Sequence, residues 1–362
     1  MALKGINKVL EESYLHGQIN AKGNNFDIIR LLLAMTVAIV HLSYLSNISF
    51  LSGIDLFLNS EVAVDSFFVI SGFLIFRSFE SSKSIGNYTR KRLRRIFPGY
   101  ITVILLCSIF LYFASSRTDF FDYFNLEFLK YIFFNILTLN FFAPTLPGVF
   151  ENNQIQAVNG ALWTIKIEVM FYMVVPFISY MFLKSNRLYV IIAIYVIAIM
   201  YSYGMIYLNV KTGSGLFLTL ERQLPGQLAF FISGAATYYY YSYFYENKTV
   251  LIILAVTVLV INSYIADIYL FYPFALAIIV IFFATIFRCL GNFGKYGDLS
   301  FGVYIWHFPI LQFLLSNDLF TNQVVGLGLF LVCTFIASYL SWHLVEKRYL
   351  YVSSHYLVSE KK

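Results

Sequence analysis

The amino-acid sequence predicts an all-α integral membrane protein with about ten transmembrane helices. Three observations predict it. The chain is 59% hydrophobic and only 12% charged, and its mean hydropathy is +0.73, far from the balance of a soluble domain. Apolar runs of about 17–22 residues, long enough to cross a hydrocarbon core, recur along nearly its whole length. The Lys and Arg residues between those runs fall mostly on alternate loops, as membrane topology requires. No stretch is left for a sizeable soluble domain. The formal charge of +6 does not point to nucleic acid, because the basic residues occupy short loops.

Taken in order, residues 1–25 form a polar tail. The run after it lacks a small-x-small cleavage site, so 27–45 is expected to be an uncleaved first span. The following spans are expected at 62–79, 97–114, 161–183, 188–208, 224–244, 250–269, 272–289, 299–316 and 323–344. Alternating them from a cytoplasmic N-terminus puts 19 Lys and Arg inside and four outside, the four being Arg117, Lys130, Lys211 and Arg222. That bias orients the chain with both termini in the cytoplasm. Residues 26–346 are then one membrane domain and 347–362 a cytoplasmic C-terminal tail. The apolar stretch Tyr131–Phe142 is too short to span, so a re-entrant or interfacial segment is expected near 131–142. The region 115–160 becomes the largest outer-face element. Tyr238–Tyr241 reads as an aromatic belt. Cys107, Cys289 and Cys333 show no disulfide or zinc spacing, so no metal is expected.

Ionisable groups inside spans are costly, which makes them functional candidates. Arg30 and His41 share the first span. Eleven residues amount to about three turns plus 20°, so both lie on one face, about 16 Å apart along the axis. Burial favours a neutral imidazole, and a neutral imidazole can take a proton from an attacking hydroxyl. Asp65, at the outer start of span two, and Glu168, in span four, are candidates to orient or charge-stabilise His41. Asp65 also reads as a helix N-terminal anion, and Glu168 as a partner of Lys166. His307 is the rival catalytic histidine, or a tunnel-lining one, and Pro309 two residues on frees a carbonyl and kinks the helix. His343 reads as an interfacial residue beside Trp342 and Glu346. His16 and His355 lie in the tails.

Five cations in six residues, Arg90-Lys-Arg-Leu-Arg-Arg95, enter span three from the cytoplasm. One reading is a lipid-facing topogenic anchor. The other is a phosphate clamp, since Arg bonds phosphate oxygens in bidentate fashion and Arg92 and Arg95 share a helix face. No glycine-rich phosphate loop accompanies them, so ATP-driven chemistry has no support.

Five segments together resemble the acyltransferase family 3 of membrane acyltransferases. They are Phe26-Asp-x-x-Arg30 with His41 eleven residues on, Asp65-Ser-Phe-Phe-Val-Ile-Ser-Gly-Phe-Leu74, Arg92-x-x-Arg95-Ile-Phe-Pro98, Leu162-Trp-Thr164 with Glu168 and Tyr172, and Ser300-x3-Tyr304-x-Trp-His-x-Pro309. They occur in family order across residues 26–346. The resemblance implies that Arg30, His41, Arg92 and Arg95 are required for acyl transfer. It implies a cytoplasmic acyl-CoA donor, usually acetyl-CoA, and a carbohydrate hydroxyl acceptor of O-antigen, capsule or exopolysaccharide, in a multi-pass protein of the bacterial inner membrane. The terminal Glu-x-Pro of the family reads Glu346-Lys-Arg348 here.

The expected function is therefore a membrane O-acyltransferase, an O-acetyltransferase above all. Arg90, Arg92, Arg94, Arg95 and Arg30 are expected to hold the donor. His41 would act as general base or as transient acyl carrier, with Arg30, Glu168 and Asp65 completing the catalytic set. Trp163, Tyr172, Tyr304 and His307 are candidate contacts to substrate. A transporter or flippase of a polysaccharide intermediate is the alternative, since it too would carry intramembrane Arg, Glu and His. No inverted repeat supports it.

Overall fold

A computed structural model describes residues 24–351 and 354–356. The first 23 residues, with His16 and almost all of the expected N-terminal tail, lie outside the described residues, as does half of the expected C-terminal tail. Among the described residues there is no strand. The principal helices are α1 (Phe26–Ser46), α2 (Ser60–Glu80), α3 (Ile85–Phe110), α4 (Leu126–Ile136), α5 (Trp163–Lys184), α6 (Arg187–Thr212), α7 (Leu224–Tyr239), α8 (Lys248–Tyr264), α9 (Tyr272–Thr285), α10 (Leu299–Ser316) and α11 (Gln323–Leu340). Apart from α4, each overlaps one expected span, α3 beginning twelve residues before its own.

Seven helices among the described residues are long and apolar enough to cross a membrane: Phe26–Ser46, Ser60–Glu80, Ile85–Ala114, Gly160–Lys184, Arg187–Thr212, Leu299–Ser316 and Gln323–Tyr349. The other three expected spans fold as the shorter helices α7, α8 and α9, of 16, 17 and 14 residues. Local chemistry sets their ends. Pro273 sits in the first turn of α9, where its missing N–H costs nothing. Asn186 caps α6 by accepting from the Leu188 N–H, and Gly213, at φ +68°, ends it.

The chain divides into two compact units. The first comprises residues up to 29, 64–88 and 167–292. Here α2 and α7 cross closely. A Cβ on Gly72 would strike the Phe231 carbonyl, and one on Gly234 the Val69 carbonyl, so the glycine of the Ser71-Gly72 pair serves helix packing. Phe171 stacks on Phe231 with ring centroids 4.0 Å apart. Pro176 lies inside α5 and cannot bond the Tyr172 carbonyl. The Tyr88 hydroxyl donates to that carbonyl instead, at 3.2 Å. Asn25 ties the start of α1 to the end of α9: its side chain donates to Phe283 O at 2.9 Å and its N–H to Ala284 O at 2.8 Å.

The second unit comprises 30–63, 89–166 and residues from 293 onward. It holds most of α1 and α3, all of α4, and α10 packed on α11. At the α10–α11 crossing Gly302 lies against the Ser338 backbone with no space for a Cβ. Overlapping the first half of the expected re-entrant segment and beginning five residues before it, α4 covers 11 residues, about 16 Å of helix, too short to span. Leu126, Leu129, Phe133 and Leu137 are exposed on one face while Phe128, Tyr131 and Asn135 are buried on the other. That is the pattern of a helix lying in an interface. After α11 the backbone winds into a π-helical turn, Ser341–Glu346. The turn directs Glu346 to the Ser341 hydroxyl, 2.7 Å away, while His343 packs on the Tyr339 ring.

Candidate active site

The second unit brings two of the sequence candidates into direct contact. His41 Nδ1 and His307 Nε2 lie 2.9 Å apart. The rings stack at 5.2 Å between centroids, and Phe308 stands edge-on to His41 at 5.5 Å. The other nitrogen of His307, Nδ1, faces the Val303 carbonyl at 3.1 Å. A carbonyl only accepts, so Nδ1 of His307 carries its proton. In the neutral pair Nε2 of His307 is then the acceptor, and His41 donates to it from Nδ1. The lone pair of His41 is left on Nε2, which no described protein group bonds. His307 is fully buried; His41 is only half-buried.

The α10 helix that carries His307 is anchored over three turns. Pro309 removes the donor that the Ile305 carbonyl would otherwise meet, and Asn159 Nδ2 supplies one at 2.8 Å. One turn on, the buried Gln312 side chain donates to Ala157 O at 2.9 Å and to Ile155 O. Its amide oxygen accepts from Asn153 Nδ2 at 3.1 Å. Thr164 and the Tyr304 hydroxyl are 2.7 Å apart. Gly160 leaves space only for the Phe308 ring. Residues 153–160, the end of the expected outer-face element, and Thr164 beyond it are thus fastened to the helix that carries His307.

A second cluster gathers around Asp298. This carboxylate is buried, 4% exposed, and caps α10 through the Ser300 N–H at 3.2 Å. Arg95 Nη2 bonds it directly. Arg30 Nη1 lies 3.6 Å from the same oxygen. The Tyr356 hydroxyl donates to that oxygen at 2.7 Å and accepts from Arg30 Nη1 at 2.9 Å. The Arg95 guanidinium also lies 5.0 Å over the Tyr356 ring. Arginines far apart in sequence therefore converge on one carboxylate. The hub occupies the N-terminal end of α10, and His307 follows nine residues along the same helix.

The remaining candidates distribute as follows. Arg90 and Arg94 are exposed and Arg92 is half-buried; Arg94 lies over the Tyr351 ring at 4.7 Å. Trp163 is half-buried at the start of α5. Tyr304 sits one turn before His307, with ring centroids 6.0 Å apart. Asp65, Glu168 and Tyr172 belong to the first unit. There the Tyr172 hydroxyl donates to Glu168 Oε1 at 2.6 Å, and Asp65 lies within electrostatic reach of Tyr269. Sequence reasoning did not find Asp298, Tyr356, Asn159 or Gln312. For Asp298 a local signal existed: an Asp just before an apolar run is a helix N-cap pattern. The other three have none. No group of three metal-ligating side chains occurs among the described residues.

A family model described as "Acyltransferase domain" matches residues 24–343. The chain is also 31% identical, over 342 residues, to a protein of Shigella phage Sf6 named "O-acetyl transferase"; the match covers 92% of this chain and 98% of that one. No solved structure matches.

Proposed function

This chain belongs to the acyltransferase family 3, and on that premise we propose that it is a membrane O-acetyltransferase that moves an acetyl group from cytoplasmic acetyl-CoA to a hydroxyl of a surface polysaccharide, or of its lipid-linked precursor. The observation that carries the chemistry is the His41–His307 pair, which leaves a basic nitrogen, Nε2 of His41, directed away from its partner. The phage relative's name supports acetyl as the transferred group.

In the proposed topology ten helices span the bacterial inner membrane and both termini are cytoplasmic. Phosphates of the donor lie among Arg90, Arg92, Arg94 and Arg95, with Arg30 at the mouth of the path. Arg30 and Arg95 already share the Asp298 carboxylate, so their guanidinium groups are held in place before a ligand arrives. This lowers the ordering cost of binding. The donor's arm then runs along the α1 face toward His41.

At His41, Nε2 accepts the proton of the acceptor hydroxyl as that oxygen attacks the thioester carbonyl carbon. The tetrahedral intermediate collapses with cleavage of the carbon–sulfur bond. The proton on Nε2 passes to the departing thiolate, giving the O-acetyl ester and the free thiol of CoA. His307 holds the His41 ring through Nδ1 at each stage. Transient acylation of Nε2 would use the same lone pair.

The test is labelled acetyl-CoA added to membranes that contain this chain and a polysaccharide acceptor. Transfer of label to glycan is expected, with a loss of at least 10²-fold in His41→Ala at matched protein level. An unlabelled glycan, or full labelling in His41→Ala, overturns the proposal. Export of unmodified glycan would then favour the transporter.

A further inference from the structure

The first unit contains a cavity of about 330 Å³, made by residues that play no part in the chemistry above. Phe79, Glu80 and Ser84 line it from the end of α2 and the turn before α3. Ser179 and Phe182 line it from the end of α5, and Arg187 and Tyr239 from the start of α6 and the end of α7. Glu80, Arg187 and Ile85, which also lines it, mark the ends of candidate spans. The cavity therefore lies at the depth of the lipid headgroups, whichever way the chain is oriented.

Its polar groups are incompletely satisfied. The Arg187 guanidinium lies 4.0 Å over the Tyr239 ring and has no hydrogen bond or ion pair to any described residue. Its Nε is buried without a partner, and so is the Ser179 hydroxyl. A buried donor left unbonded costs more than a bonded one gains. Two helices of more than eight residues, α3 and α6, begin at the rim, and the N-terminal ends of their dipoles add positive potential. Glu80 contributes the opposite charge, accepting from the Tyr238 hydroxyl at 2.9 Å and hydrogen-bonding Tyr239. At the mouth, Ile85 and Leu183 are 59% and 81% exposed, an apolar rim of the kind that acyl chains cover.

We propose that this cavity binds one phospholipid headgroup bearing both a phosphodiester and a primary ammonium. Arg187 and Ser179 take the phosphate, Glu80 takes the ammonium, and the acyl chains leave past Ile85 and Leu183. The shared chemistry, a phosphate beside an ammonium, also exists in soluble phosphoethanolamine. The apolar mouth and the position at the ends of spans favour the lipid.

The experiment is native mass spectrometry of the full chain released from detergent, after incubation with phosphatidylethanolamine, phosphatidylglycerol or phosphatidylcholine. Retention of one phosphatidylethanolamine, preferred about tenfold over phosphatidylglycerol, is expected, the worth of one charge-assisted hydrogen bond. Arg187→Gln should lower retention of all three lipids. Glu80→Gln should bring phosphatidylethanolamine down to the level of phosphatidylglycerol and leave the latter unchanged. A measurement on the unaltered chain guards against misfolded variants: its thermal midpoint should rise more in phosphatidylethanolamine micelles than in phosphatidylcholine micelles. Equal retention of the three lipids, or retention untouched by Arg187→Gln in a folded variant, overturns the proposal. Competition by soluble phosphoethanolamine as strong as by the lipid overturns the lipid assignment.

Discussion

His41 and His307 are 266 residues apart in the chain and share one hydrogen bond of 2.9 Å. The bond to the Val303 carbonyl fixes which nitrogen of His307 carries its proton. It thereby fixes Nε2 as the nitrogen of His41 that keeps its lone pair. In this arrangement a neutral imidazole takes the place that a carboxylate occupies in the familiar catalytic triads.

In the proposed mechanism that geometry makes His307 a positioning residue. His307→Ala is expected to lower kcat for acetyl transfer by about 10²-fold while KM for both substrates changes little, because an unheld imidazole samples the wrong tautomer and orientation. His307→Gln, whose carbonyl can accept from His41 Nδ1, should recover part of the loss. Full turnover of His307→Ala in steady-state assays at equal membrane protein would show that the pair has no such role.

The arginine cluster should act on the donor and not on the glycan. Replacing Arg92 and Arg95 together by Gln is expected to weaken acetyl-CoA binding, and Lys at both positions to restore little, since an ammonium cannot reproduce the guanidinium fork. Titration of acetyl-CoA into detergent-solubilised protein reads this directly. Unchanged affinity would leave the cluster as a topogenic anchor.

Asp298 should matter for stability through the charges it neutralises. Asp298→Asn leaves Arg30 and Arg95 facing each other, and removing one partner of a buried pair costs about 3–5 kcal/mol. Its thermal midpoint should fall below that of the unaltered chain. The double variant Asp298→Asn with Arg95→Gln removes one of the stranded cations and should melt above Asp298→Asn alone. Additive losses in the double variant would argue against the pairing.

The acceptor is expected on the outer side. The segment expected on the outer face is fastened by Asn153, Asn159 and Gln312 to α10, the helix that carries His307, whereas the cationic hub lies at the other end of that helix. Sealed, oriented vesicles supplied with acetyl-CoA on the cytoplasmic side, and an impermeant acceptor on one side at a time, should label only the outer acceptor. Labelling confined to the cytoplasmic side would make this an ordinary inner-face acetyltransferase.

Much of the framework was legible without coordinates, because it rests on local terms. Hydropathy alone finds ten helices, although α3 begins twelve residues before its expected span. Turn arithmetic puts Arg30 and His41 on one face of α1, and length alone stops α4 from spanning. The reading was less complete where a partner comes from elsewhere in the chain. His307 was a candidate, but as a rival to His41 or a lining residue. Glu168 was weighed as an orienting group for His41, and the partner it shows is Tyr172, one turn along its own helix.

By itself, then, the sequence determined the membrane class, the helical elements and the short list of ionisable groups buried among them. Those follow from burial cost and helical period, both properties of neighbouring residues. Only the tertiary structure decided which imidazole holds which, that Asp298 and Tyr356 complete the Arg30 and Arg95 site, and that Asn159 caps the carbonyl freed by Pro309. Such pairings join residues more than a hundred positions apart. Their physical cause is the demand of each buried polar group for a partner, and nothing in the residues beside that group says where along the chain the partner lies.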